Sequence, residues 1–128
     1  FMGDVGSTLL GYNIAILALY SQNQGMSILV WLILFGLFWV DATLTLYRRY
    51  KKGEKLSQAH RKHAYQRAVQ SDLNHSKVVL FAMGINVLLA ILGYIALHYT
   101  QWVLICFIIS LGILVGAVRM VDKRKKFE

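Results

Sequence analysis

Apolar and polar positions separate into long blocks along this chain. Four apolar segments run at about 8–21, 27–47, 78–98 and 101–121. A polar run, RRYKKGEKLSQAHRKHAYQRAVQSDLNHSK, fills positions 48–77 between the second and third. Hydrocarbon offers no partner to backbone N–H and C=O groups, so each apolar segment is predicted to be a helix. At a rise of about 1.5 Å per residue, the last three cross a core of roughly 30 Å, and the first does so if it begins near Val5. The pattern predicts an all-α, polytopic membrane protein of four transmembrane helices, with a loop at 48–77 and a tail at 122–128. The chain opens at Phe1 in a glycine-rich phrase and reads as the C-terminal part of a larger helical bundle.

Composition supports the membrane reading. Of 128 residues, 57% are hydrophobic and none is proline, and a soluble domain of this size buries too little surface to hide so much apolar area. The formal charge of +8 is distributed unevenly. Residues 1–47 contain no Lys or Arg, the loop holds nine of the fourteen, and Arg119, Lys123, Arg124, Lys125 and Lys126 supply the rest. A basic balance can signal nucleic acid, but cations flanking apolar spans signal topology, so no nucleic-acid partner is expected. By the positive-inside rule the loop, the tail and the N-terminus face the cytoplasm. Asp4 then shares a membrane face with His60, His63 and His75. Trp31, Trp39 and Trp102 fall where aromatic belt residues sit. Gly112 and Gly116 have the spacing that lets helices approach closely. Cys106 lies in an apolar segment without an internal disulfide partner.

Three stretches could carry chemistry. In FMGDVGSTLLGY, Asp4 stands between Gly3 and Gly6 at a helix start. It could cap that helix, the simpler reading, or hold Mg²⁺, which takes one or two carboxylates plus substrate phosphates. In VDATLTLYRRYKKG, Asp41 lies inside an apolar span, where an unpaired carboxylate is costly. Arg48, seven residues on, is on nearly the same helix face. A structural pair and a site-supporting role both fit. AHRKHAYQRAVQ, residues 59–70, contains no helix breaker and predicts a helix with His60, His63 and Arg67 on one stripe and Gln66 beside His63. Such donors suit phosphate oxygens; the same helix could equally lie on anionic lipid.

FMGDVGS resembles a signature of the polyprenyl-phosphate N-acetylhexosamine-1-phosphate transferase superfamily. The late-helix Asp41 followed by arginines is similar to that family as well. So is the histidine-containing run His60-Arg61-Lys62-His63-Ala64-Tyr65-Gln66, although Tyr65 and Gln66 replace two histidines of the common pattern. With His75 before Val78, this run looks like the WbpL-like, O-antigen-initiating branch. The resemblance implies a Mg²⁺-dependent enzyme of the bacterial inner membrane. It would move N-acetylhexosamine-1-phosphate from a UDP-N-acetylhexosamine derivative to undecaprenyl phosphate at the cytoplasmic face and release UMP. Asp4 would be the metal ligand and catalytic with His63. His60, Arg61, Gln66 and Arg67 would contact substrate, and Asp41 would support the site. The family also uses an earlier pair of adjacent aspartates, which this stretch lacks, so catalysis by this chain alone is not expected. Membrane lipids are further partners, and self-association is allowed. The alternatives are a small four-helix transporter or flippase, and a non-catalytic lipid-binding membrane subunit.

Overall fold

The computed structural model describes residues 3–55, 62–71, 74–125 and 127, apart from the side chains of Asp4 and Ser7. The described residues form helices α1 (Gly3–Asn23), α2 (Ile28–Leu34), α3 (Gly36–Lys51), α4 (Ala64–Gln70), α5 (His75–His98) and α6 (Val103–Arg124), with a 3₁₀ turn at Thr100–Trp102. No strand occurs among them. This is an all-α polytopic membrane fold. Two spans, His75–His98 and Thr100–Arg124, are each long and apolar enough to cross a bilayer alone.

The segment expected as one span at 27–47 is instead two helices, α2 and α3, bent by 80°. Phe35 leaves the helical region at φ −96°, ψ 12°, and no proline is involved. A break in apolar surroundings strands backbone carbonyls, and a side chain must take them up. Trp39 does so: its indole Nε1 donates to the Leu32 carbonyl at 2.8 Å, and its ring packs against the core and stacks on Phe107. It is therefore a support of the bend rather than a belt residue. Counted as one broken span, α2 and α3 make a third candidate crossing.

The core lies where α2 and α3 meet α5 and α6, with Val30, Ile33, Val40, Ile85, Leu89, Ala96, Cys106 and Leu114 buried. Two glycines make the close approaches. A Cβ on Gly36 would stand 2.6 Å from Leu114 Cδ1, and one on Gly93 would stand 2.7 Å from Leu34 Cδ2. At Gly112 and Gly116 an added Cβ meets nothing within 4 Å, so their small-residue face is not used among the described residues. The helix α1 packs mainly on α2, and Leu9, Leu10, Leu17 and Leu19 remain exposed.

The polar elements gather at one end. There α4 packs against α5 and α6, and hydrogen bonds from Arg48, Lys52 and Arg67 reach Asp122, Lys125 and Phe127.

Candidate functional site

Asp41 organises the junction between the membrane helices and the loop. It projects from α3 one turn before Thr45, whose hydroxyl donates to its Oδ1 at 3.3 Å. The same Oδ1 accepts the Ala64 backbone N–H at 2.8 Å, on the first residue of α4. Helix N-termini carry unsatisfied donors and a partial positive charge, so a carboxylate is favoured there. The Asp41 Oδ2 lies 3.6 Å from His63 Nδ1, beyond hydrogen-bond range but within ion-pair range when the imidazole is protonated. In this way Asp41 meets its cost inside an apolar span. It does not pair with Arg48.

His63 precedes α4 rather than lying in it. Its backbone is extended (φ −61°, ψ 149°) and it serves as the N-cap residue. Its N–H donates to Gln66 Oε1 at 3.3 Å, which engages one end of Gln66 in closing the first turn. The expected continuous helix over 59–70 therefore fails at its described part. The reason is local: Asp41 and Gln66 take the N–H groups of Ala64 and His63 and fix the helix start there. His63, a third exposed, faces Asp41 and Tyr65, whereas Arg67 turns inward, so the two do not form one stripe. His60 and Arg61 lie outside the described residues, and so does the side chain of Asp4, which belongs to the first turn of α1.

Arg67 is 4% exposed, and its Nη1 and Nε donors are engaged. Nη1 donates to Asp122 Oδ1 at 2.7 Å and to the Lys125 carbonyl at 3.0 Å, and Nε donates to the Lys62 carbonyl at 3.2 Å. Asp122, on α6, also receives Arg48 as a two-pronged fork at 3.0 and 2.7 Å. One carboxylate thus ties α3, α4 and α6 together. Beside it, Arg49 is buried with Nε on Glu54 Oε2 at 3.1 Å and Nη2 on the Lys55 carbonyl at 2.6 Å. Lys62 reaches the other Glu54 oxygen at 2.7 Å. That Lys62 hydrogen bond holds the Glu54 carboxyl below the usual range; burial opposes the shift and Arg49 adds to it.

Asp122 and Glu54 did not stand out in the sequence as functional residues. The available signal was that each is an isolated acid in a basic run, RMVDKRKK and RRYKKGEK. An acid in such a setting has several cations within reach. The assembly presents a partly exposed imidazole on a loop clamped to a membrane helix by a carboxylate, amid a surplus of cations. It is equipped to bind and orient phosphate oxygens near the membrane surface.

The chain is similar to three curated bacterial proteins. A "probable undecaprenyl-phosphate N-acetylglucosaminyl 1-phosphate transferase" of Bacillus subtilis is 29% identical over an alignment of 133 positions, covering 98% of this chain and 37% of that protein. An "undecaprenyl-phosphate alpha-N-acetylglucosaminyl 1-phosphate transferase" of Haemophilus influenzae is 30% identical, covering 80% of this chain and 30% of that one. The protein of the same description in Pasteurella multocida is 32% identical, covering 81% and 30%. The chain spans about a third of the length of these relatives. No protein-family model matches the chain. No solved structure matches it.

Proposed function

Because the chain belongs to the polyprenyl-phosphate N-acetylhexosamine-1-phosphate transferase superfamily, we propose that it is part of an enzyme transferring a sugar-1-phosphate to undecaprenyl phosphate. The donor in this reading is a UDP-N-acetylhexosamine, UMP leaves, and the reaction takes place at the cytoplasmic face of the bacterial inner membrane. The product would begin a cell-envelope polysaccharide, with O-antigen as the expected class. Support comes from the similarity to relatives so named. The observation that carries the reading to residues is the docking of the His63 loop onto α3 through Asp41.

Phosphoryl transfer depends chiefly on positioning and on neutralising charge. In this chain His63 would donate to an oxygen of the sugar-nucleotide diphosphate, and Asp41 would hold the imidazole and the start of α4 in place. His60 and Arg61, just before it, would add donors, as would the amide of Gln66. Arg67 enters the reading differently from the sequence expectation. Its guanidinium is engaged by Asp122 and two carbonyls, so it fixes α4 rather than reaching for substrate.

Among the described residues no group of three His, Cys, Asp or Glu side chains comes together as a metal cage. In this reading Mg²⁺ would bind in its usual mode, through one or two carboxylates plus substrate phosphates, with Asp4 as a carboxylate ligand. Bound Mg²⁺ would offset pyrophosphate charge and assist the UMP leaving group.

The test is UMP release by the full-length protein, supplied with undecaprenyl phosphate and a panel of UDP-sugars. At least one UDP-N-acetylhexosamine should support release. Asp4→Asn should abolish it while expression persists, and His63→Ala should lower turnover or raise the UDP-sugar requirement. Release unaffected by Asp4→Asn would remove that residue from the metal site, and no release with any UDP-sugar would overturn the reading.

A further inference from the structure

The helix α4 has seven residues, Ala64–Gln70, too few to hold a helix by their own hydrogen bonds. Its pose is set from outside, by carboxylates on two different membrane helices. At its start, Asp41 of α3 accepts the Ala64 N–H at 2.8 Å. Near the middle, Asp122 of α6 accepts Arg67 Nη1 at 2.7 Å. The same guanidinium reaches back to the segment before α4, where its Nε donates to the Lys62 carbonyl at 3.2 Å. That carbonyl and the His63 N–H belong to one planar peptide group, and the N–H donates to Gln66 Oε1 at 3.3 Å. A relay of rigid, planar groups therefore runs from Asp122 through Arg67 to the backbone at His63.

Burial makes the near end of this relay depend on its far end. Arg67 is buried, and a buried guanidinium is costly once its carboxylate is gone. Without Asp122 the side chain is driven towards water, and the Lys62 carbonyl loses its donor. The segment after α6 reinforces the same contact. The Lys125 carbonyl accepts Arg67 Nη1 at 3.0 Å, Lys125 Nζ donates to Gln70 Oε1 at 2.9 Å, and the Phe127 ring lies 5.3 Å from Arg67 Cζ. Arg48, the other partner of Asp122, is placed differently. It belongs to α3, its side chain is 28% exposed, and its fork joins α3 to α6 rather than α6 to α4.

We propose that Asp122 is a positioning residue: acting through Arg67 and the Lys62 carbonyl, it fixes where the His63 imidazole stands against Asp41. Its kinetic consequence rests on the transfer reading; the relay itself requires no reaction. One imidazole is then held by carboxylates from α3 and α6, directly by Asp41 and at a distance by Asp122. A change at the end of α6 is felt at His63 although Asp122 itself touches neither substrate nor imidazole. The effect is large for a small movement, because a misplacement of about 1 Å at a reacting centre can cost about a hundredfold in rate.

The experiment uses the full-length protein in lipid nanodiscs and has two arms. In the first, diethyl pyrocarbonate modifies the histidines and mass spectrometry follows each one. Asp122→Asn should speed modification of His63 by about threefold or more, as local release of α4 exposes it. His98, at the opposite end of α5, should keep its rate and so reports that the bundle remains folded. Arg67→Gln breaks the same relay without leaving a buried charge, so it reads the effect if Asp122→Asn does not fold. Arg48→Gln removes the other partner of Asp122 and should change the His63 rate by less than about half as much, its exposed pair being weak. In the second arm, Asp122→Asn should raise the KM for the UDP-sugar by about fivefold or more, whereas a lower folded fraction alone would reduce kcat. Combined with His63→Ala, it should add no more than about twofold, because the two act as one unit. An unchanged His63 rate in both relay variants, an equal effect of Arg48→Gln, or fully multiplied kinetic losses overturns the proposal. If the unmutated protein releases no UMP, the transfer reading falls, and the labelling arm alone decides the relay.

Discussion

Asp122 shows how one carboxylate can decide the arrangement of a strongly basic end. It accepts a fork from Arg48, which is 28% exposed, and a single short bond from Arg67, which is 4% exposed. The two bonds should differ in worth. An exposed pair is screened by water and contributes about 0–1 kcal/mol, whereas removing the partner of a buried charge costs about 3–5 kcal/mol. Asp122→Ala strands Arg67 and should cost about 3 kcal/mol, read as a lowered unfolding midpoint in detergent. Arg48→Ala should cost about 1 kcal/mol or less. Equal losses in the two variants would mean that Arg67 is not held as described. The pairing itself was beyond the sequence. Arg48 and Asp122 are 74 positions apart, and helix periodicity speaks only to neighbours within a few turns, where it offered Asp41 as the partner instead.

At the scale of elements, the long apolar runs were legible because hydrocarbon leaves the backbone no alternative to helix. The bend at Phe35 was not, because nothing around it, in ILVWLILFGLFWV, departs from an apolar span. It depends on Trp39 reaching back to the Leu32 carbonyl and on Gly36 admitting Leu114, both of which are tertiary facts. The start of α4 was hidden for a related reason: the carboxylate that fixes it belongs to α3. The glycines give a direct test of the packing. Gly36→Ala must push Leu114 aside, since the new Cβ would stand 2.6 Å from it, and overpacking of this kind costs about 1–3 kcal/mol. Gly112→Ala meets open space among the described residues and should leave the unfolding midpoint unchanged or slightly raised, because alanine is the better helix former. A loss at Gly112 matching that at Gly36 would show that its face is covered by something besides this chain.

For the molecule as a whole, the contacts at the charged end constrain topology more tightly than charge counting does. Positive-inside reasoning places the loop and the tail on one face statistically. Hydrogen bonds from Arg48, Lys52 and Arg67 to Asp122, Lys125 and Phe127 tie them together physically. The link containing Gln24, between α1 and α2, and the 3₁₀ turn containing Gln101, between α5 and α6, lie at the other ends of these helices. The chain's single cysteine, Cys106, is buried in the core, so labelling at introduced cysteines starts from a low background. In intact cells treated with a membrane-impermeant maleimide, Gln24→Cys and Gln101→Cys should be labelled, while Lys55→Cys and Lys123→Cys should react only after permeabilisation. Protection of all four would show that the links are covered, and labelling of Lys55→Cys in intact cells would reverse the proposed orientation. Agreement between Lys55→Cys and Lys123→Cys matters most, because a split between them would contradict the Arg67–Asp122 contact along with the orientation.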